Sequence, residues 1–206
     1  MSIPERIKNK LKGNSWYHGT TIEGFHSILE HGVLVDFNRG RELDFGYGFY
    51  LTPKDTMAEE YISRLPIEDQ ERVILEFSFS PLSWFESDDF STEIFEAFDE
   101  RFAEFVFDNR YNGKSGKQTH GFDVVYGGMS DSLPTKLLNE YRAGEITREE
   151  VIRRLQKGTS MKQLSLHAQY LCDKIELKRA YIYDPKTRTR KELNMDERKN
   201  ETVCQR

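Results

Sequence analysis

An α+β fold is the class this sequence predicts, on three observations. Short runs rich in β-branched and aromatic residues, clearest in 72-RVILEFSFS-80 and 122-FDVVYGG-128, read as strands. Other segments set apolar residues at helical spacing, as Ile22, Phe25, Ile28 and Leu29 do. No βαβ unit appears, so about six strands with helices around them are expected as a single unit.

Residues 1–13 read as a short basic amphipathic lead-in, and 15-SWYHGT-20 as the first strand. The helix of 21-TIEGFHSILEHGV-33 has Thr21 as N-cap, with Gly24 behind it, and Gly32 as its stop. A loop over 34–43 precedes the strand GFYLT; then 54-KDTMAEEYISRL-65 is a helix capped by Asp55 or Thr56. Phe95, Phe98, Phe102, Phe105 and Val106 make 91–110 the clearest helix, its stripe a packing face rather than a ligand box. A polar loop over 111–121 leads to the buried strand 122–128. Residues 133–158 read as two helices broken at Gly144, the second opened by a Thr147–Glu150 capping box. The strand KQLSLHA, a short helix AQYLCDKI and the strand ELKRAYIYD close a domain spanning 1–184. From Pro185 to 206 a charged, mobile tail is expected.

Composition narrows the function classes. With 206 residues, 37% hydrophobic and 13% aromatic, the chain can bury a core despite 32% charged residues. A net charge of −5 speaks against non-specific nucleic-acid binding, though not against a local basic patch or a nucleotide site. The two cysteines, Cys172 and Cys204, form no Cys-x-x-Cys, and His26, His31, His120 and His167 show no metal spacing, so no metal is expected. No signal-peptide pattern and no run near the ~20 apolar residues of a membrane span are found. A reduced, cytoplasmic protein without membrane contact is the expectation.

The chemistry concentrates in 17-YHGT-20 and 44-DFGYGFYLTP-53. Glycines weaken a strand and aromatics do not suit a plain loop, so the second stretch reads as a backbone that lets something flat come close. Tyr61, eleven residues after Tyr50, can return on a helix face towards it. Two tyrosines across a gap make a slot for a planar ring, since offset stacking favours centroid separations of about 4.5–7 Å. Taken singly, His18 reads as structural, Gly46 and Gly48 as a turn or bulge, and both tyrosines as core. The Gly-x-Gly is not a dinucleotide-binding fingerprint, because no third glycine opens a helix.

Taken together, His-Gly-Thr, then Gly-x-Gly-x-Tyr-x-Thr, then the second tyrosine, resemble the ADP-ribosyltransferases, closest to the His-Tyr-Glu class of diphtheria toxin and the poly(ADP-ribose) polymerases. FDVVYGGMSD, the helix pair and MKQLSLHAQYLCDKI resemble a group of small bacterial and phage proteins of that kind, most of them known only as a domain of unknown function. The resemblance covers residues 16–182. It implies a split antiparallel β-sheet core with surrounding helices, and NAD held with nicotinamide between two tyrosines. On that basis His18 would bond the ribose 2′-hydroxyl, Gly19 would grip the carboxamide through its backbone, and Tyr50 and Tyr61 would sandwich the ring. Thr20 would lie near the adenosine side; Gly48 and Phe49 belong to the same motif, and Asp44 and Phe45 would fix its turn. Arg39 and Arg41 would meet the pyrophosphate, for which guanidinium forks are suited, with a solvated loop pair as the alternative. Asn109–Arg110 is a further polar insertion into the site, and Asp123 and Asp131 would flank a Gly-Gly turn.

Two positions depart from the pattern. A serine three residues before the second tyrosine is replaced by Ala58, and the glutamate expected at the head of a later strand is Gln163. A placed anion stabilises the positive charge that develops on the ribose as nicotinamide leaves; glutamine can hold the hydroxyl but lacks the charge. Transfer of one ADP-ribose, or a weakened enzyme, is implied. Activity is the reading kept, Glu176 is a fallback acid, and Gln163→Glu is expected to raise hydrolysis. The implied activity is mono-ADP-ribosyl transfer to a protein or nucleic-acid acceptor by a bacterial or phage effector, with an antitoxin as its implied counterpart. An NAD glycohydrolase and a silent module binding NAD, ADP-ribose or a partner are the alternatives.

Overall fold

Two four-stranded sheets meet at one pair of residues. The structure, a computed structural model, describes residues 3–67, 71–130 and 133–195. In chain order the elements are α1 (Glu5–Leu11), β1 (Ser15–Thr21), α2 (Ile22–His31), β2 (Phe49–Leu51), α3 (Asp55–Arg64), β3 (Arg72–Ser78), α4 (Leu82–Phe85), β4 (Thr92–Ile94), α5 (Glu100–Gly113), β5 (Val124–Ser130), α6 (Pro134–Arg142), α7 (Arg148–Leu155), β6 (Gly158–Leu166), α8 (Gln169–Cys172), β7 (Glu176–Asp184) and β8 (Thr189–Glu192). The first sheet has the order β1-β3-β7-β8 and the second β2-β6-β5-β4. Every pairing is antiparallel except β4 with β5. The fold is α+β.

Register decides what each face buries, because residues directly opposite in adjacent strands share a face. Trp16 opposes Phe77 and His18 opposes Leu75 in the first sheet; Leu51, Leu164 and Tyr126 line up across the second. These apolar partners belong to one buried cluster that lies between the sheets. On the outer face of the first sheet α3 packs Ala58 and Ile62 against Ile74. On the outer face of the second, α5, α6 and α7 bring Phe102, Val106, Leu138 and Val151 against Val125. An apolar set alternating in this way is what a two-sided sheet needs.

Several local expectations hold. Thr21 caps α2 by accepting from Gly24 N, and Gly32 ends it at φ 75° with its N–H on Ile28 O. Gly144, at φ 73°, separates α6 from α7. Thr147 caps α7, although the Glu150 carboxylate turns to Arg153 and Arg154.

Other expectations change. Residues 91–110 are not one helix: Thr92–Ile94 is a strand beside β5, and α5 begins only after Asp99, whose carboxylate accepts from Phe102 N. Phe95 and Phe98 are needed elsewhere. Their side chains lie where a Cβ on Gly127, Gly128 or Gly158 would be, so the sheet carries glycines where these rings press onto it. Gly127 and Gly128 accordingly sit within β5 and form no turn, while Asp123 accepts from Ser91 N ahead of the strand. The helix α3 starts one residue after Lys54, with Asp55 as its first residue rather than its cap. The C-terminal segment does not leave the fold at 185: β8 pairs with β7, and Arg190 reaches Asp55 at 2.7 Å and Glu59 at 2.6 Å on α3. Asp131, Cys204 and residues 196–206 lie outside the described residues. Among the described residues no helix is long and apolar enough to cross a membrane.

Candidate functional site

The point where the sheets meet is a single bridge between β1 and β2. Tyr17 N donates to Thr52 O at 2.9 Å, and Thr52 N donates to Tyr17 O at 2.8 Å. Beyond it the chains part, because β2 goes on to pair with β6 and β1 with β3. In an antiparallel strand successive residues turn their N–H and C=O to opposite sides. Asn14 and Ile22 bond towards the β3 side. Odd-numbered Tyr17 and Gly19 therefore face the split, and two residues past the bridge Gly19 offers it an edge N–H and C=O.

Gly19 is also a tight fit on its other side. A Cβ there would lie 3.0 Å from Ala58 O, 3.2 Å from Ile62 Cβ and 3.5 Å from Tyr61 Cδ1. The absence of a side chain lets α3 lie directly on β1 and sets the Tyr61 ring beside the Gly19 backbone. Tyr61 itself is 39% exposed. Burial, opposed by the charges of Arg41 and Arg110, raises its phenol pKa, so both guanidinium groups lie within electrostatic reach of it.

His18 ties the two walls together. Its Nδ1 lies 2.7 Å from Tyr50 O, and a carbonyl can only accept, so Nδ1 carries the proton and Nε2 the lone pair. Burial holds the ring below its ordinary pKa of 6.5, against the opposing bond to Tyr50 O, and the imidazole is neutral at physiological pH. The ring packs on Phe49 at 4.5 Å between centroids, and Nε2 has no hydrogen-bond partner among the described residues.

Tyr50 is immobilised. Its hydroxyl donates to Gly46 O at 2.7 Å and accepts from Phe45 N at 3.0 Å, while its ring stacks on Phe45. Burial first, then the charge of Asp44, pushes the phenol well above its usual pKa. Tyr61 belongs to the same electrostatic neighbourhood, yet the two tyrosine rings make no contact with each other. Gly46 has φ 82°, and a Cβ there would meet Gln118 Oε1 at 2.5 Å, so the turn that pins Tyr50 requires glycine.

Beneath Tyr50 lies a buried polar network. Asp44 Oδ1 accepts from Arg110 Nε at 2.6 Å and Ser130 Oγ at 2.7 Å; Oδ2 accepts from Ser130 N at 2.9 Å and Gln163 Nε2 at 3.2 Å. Burial alone would raise the Asp44 pKa, but the Arg110 charge and the Ser130 bonds prevail and lower it. Gln163 is 5% exposed, and its second amide hydrogen goes to Gly128 O at 3.2 Å. Across the ladder Tyr50 opposes Ser165, so Tyr50, Ser165 and Gln163 share one face of the second sheet.

The remaining candidates serve mainly to hold the loops. Arg39 Nε donates to Gly116 O at 3.0 Å and its guanidinium covers the Tyr47 ring. Arg41 is exposed and makes no side-chain hydrogen bond among the described residues. Gly48 exchanges bonds with the Asn38 amide at 2.9 and 2.7 Å, and Phe49 is core beneath His18. Thr20 sets its hydroxyl against Gly24 of α2. Asn109 is buried between Phe105 O and Thr119, and its neighbour Arg110 enters the site instead. Glu176 is exposed, paired with Lys178, and two strands away from β1.

Sequence reasoning missed the support given by His120 and His167. His120 Nε2 donates to Phe45 O at 2.8 Å and His167 Nδ1 donates to Tyr47 O at 2.8 Å, while Ser165 Oγ donates to His167 Nε2 at 2.7 Å. Burial first, then His120, lowers the His167 pKa to about 3, which suits a neutral structural ring. The described residues contain no cluster of His, Cys, Asp and Glu suited to a metal ion.

The chain belongs to a family described as a protein of unknown function, DUF3990, whose model matches residues 17–177. No curated protein and no solved structure matches it.

Proposed function

We propose that the split between β1 and β2 is an NAD pocket and that the protein is a mono-ADP-ribosyltransferase acting on a protein or nucleic acid. The observations that support this reading are His18, whose Nδ1 is held on Tyr50 O and whose Nε2 keeps its lone pair, and the Gly19 backbone edge with the Tyr61 ring beside it. Each matches a need of the dinucleotide. An edge N–H and C=O can take both ends of a primary carboxamide. Two phenol rings offer faces for a pyridinium, an imidazole lone pair can accept from a ribose hydroxyl, and Arg41 can meet a pyrophosphate.

NAD supplies a ribose whose C1′–N bond is already weakened by the cationic leaving group. The bond breaks with its electron pair going to nicotinamide, which departs neutral. A nucleophile of the acceptor forms the new bond at C1′ and gives up its proton. The chain's own share is to hold the ring, orient the ribose and face the developing positive charge with fixed dipoles. A bacterial or phage effector acting in the cytoplasm, with an antitoxin as its counterpart, is the setting that the same resemblance implies.

A second reading, a silent module that binds NAD or ADP-ribose, is favoured by Ala58 and by the Gln163 amide, both of whose hydrogens are already engaged. Incubation of the protein with labelled NAD and lysate separates the readings. Label on macromolecules supports the transferase. Free ADP-ribose identifies a glycohydrolase, for which water is the acceptor. Binding of unconsumed NAD identifies the silent module, and no binding at all rejects the pocket.

A further inference from the structure

We infer, resting on the NAD pocket proposed above, that Asp44 provides the site's negative charge and positions Gln163, so that one carboxylate's two duties are divided between two residues. Asp44 would supply the anion, and Gln163 Oε1 would supply the acceptor for a ribose hydroxyl.

The geometry fixes which atom Gln163 presents. Its Nε2 donates to Asp44 Oδ2 and Gly128 O, both at 3.2 Å. Turning the amide over would set Oε1 against a carboxylate and a carbonyl with no hydrogen between them, an arrangement that leaves two buried acceptors unpaired. Asp44 is in turn fixed by Arg110 Nε, Ser130 Oγ and Ser130 N, and is 4% exposed. The orientation of Gln163 thus follows from the charge of a residue 119 positions away.

Asp44 lies directly behind Tyr50: the Tyr50 hydroxyl accepts from the N–H of Phe45, the residue next to Asp44, and Gln163, which donates to Asp44, shares a sheet face with Tyr50. A ribose held against that face would meet the carboxylate through Gln163, and charges and dipoles fixed in this way act on developing charge without reorganising.

This reverses the expectation from sequence that Gln163→Glu strengthens the site. A glutamate at 163 would set a second carboxylate at hydrogen-bond distance from Asp44 and Gly128 O. Two carboxylates so placed do not both ionise, and the pair takes up a proton. The other ionisable groups facing the pair are Arg110 from α5 and Tyr50 from β2, with Tyr61 from α3 and Arg41 at the mouth. Only the cations favour a second anion, and Arg110 is already engaged with Asp44 and Glu42 O.

The test compares wild type, Asp44→Asn, Gln163→Glu and the exchanged pair Asp44→Asn/Gln163→Glu. Nicotinamide release and NAD affinity are measured from about pH 5 to about pH 9, with thermal melts alongside. Asp44→Asn is expected to lower kcat about 100-fold with a much smaller change in KM. The exchanged pair should recover at least about tenfold of that loss, which a merely structural role would not give. Gln163→Glu should lose activity and thermal stability as pH rises, whereas wild type should show neither loss over that range. An exchanged pair no faster than Asp44→Asn, or Gln163→Glu matching wild type in rate and melting temperature at about pH 8, would overturn the inference. Should Asp44→Asn fail to fold, the pH profile of Gln163→Glu decides alone. Should wild type release no nicotinamide, the transferase reading fails instead, and the melting profile of Gln163→Glu still tests the coupling to Asp44.

Discussion

The two walls of the split are built on opposite principles. On the second sheet the groups around Tyr50 are tied down: its hydroxyl holds two bonds, Asp44 holds four, and both Gln163 amide hydrogens are placed. On the first sheet the groups are open: an edge glycine, a 39% exposed tyrosine on the helix above it, and an imidazole nitrogen without a partner among the described residues. In the proposed site one wall would be set before NAD binds, and the other would gain its partners from it. Preorganised dipoles act on charge without reorganising, whereas open donors and acceptors serve recognition.

Substitutions at the two walls should therefore separate chemistry, stability and affinity. His18 links the walls, and His18→Ala should lower nicotinamide release on the order of a thousandfold; retained turnover would remove the imidazole from the site. The next largest effect concerns acid stability. His167 has its pKa lowered from 6.5 to about 3 in the folded state, so its contribution is present above pH 6.5 and lost as the medium becomes more acidic. That loss amounts to about 3 kcal/mol by about pH 4. His18 and His120 act in the same direction. The acid limb of stability should become shallower in His167→Gln, measured by denaturant titration at neutral and acidic pH, and an unchanged limb would contradict the assignment.

A matched pair of phenol deletions sharpens the contrast. Tyr50→Phe leaves Gly46 O and Phe45 N unpaired, and should cost about 1–3 kcal/mol of unfolding free energy. Tyr61→Phe should cost under about 0.5 kcal/mol, as surface changes do. Conversely, Tyr61→Ala should weaken NAD binding about tenfold by calorimetry with little change in melting temperature. The smallest effect is expected at Arg190→Ala. Arg190 ties β8 to Asp55 and Glu59 of α3, the helix that carries Tyr61, and its loss should cost under about 1 kcal/mol because the cluster is partly exposed. A larger loss in a melt would mean that the C-terminal hairpin holds the first wall more firmly than these contacts indicate.

What the sequence made legible was local. The caps at Thr21, Gly32 and Thr147 involve neighbours three or four residues away, within reach of a local pattern, although Glu150 pairs with Arg153 and Arg154 rather than completing the box at Thr147. The proposed roles of His18, Tyr50 and Tyr61 likewise rest on short motifs. The phenylalanine stripe misled because Phe95 and Phe98 mimic helical spacing while their places are set by glycines in β5 and β6, well along the chain. The same holds for the polar network. Asp44 meets Arg110, Ser130 and Gln163 across 66, 86 and 119 positions, and no local pattern announces such partners. Gln163 read alone looked like a lost charge; beside Asp44 it is half of a pair. The strand at 189–192 escapes a local reading for a related reason, since its strand character is conferred by β7 and by acids on α3.

The most direct measurement is a crystal structure of the protein with NAD. The account predicts nicotinamide between Tyr50 and Tyr61, its carboxamide on the Gly19 backbone, and His18 Nε2 on a ribose hydroxyl. NAD bound anywhere other than between β1 and β2, or a split that stays empty at saturating NAD, would contradict it.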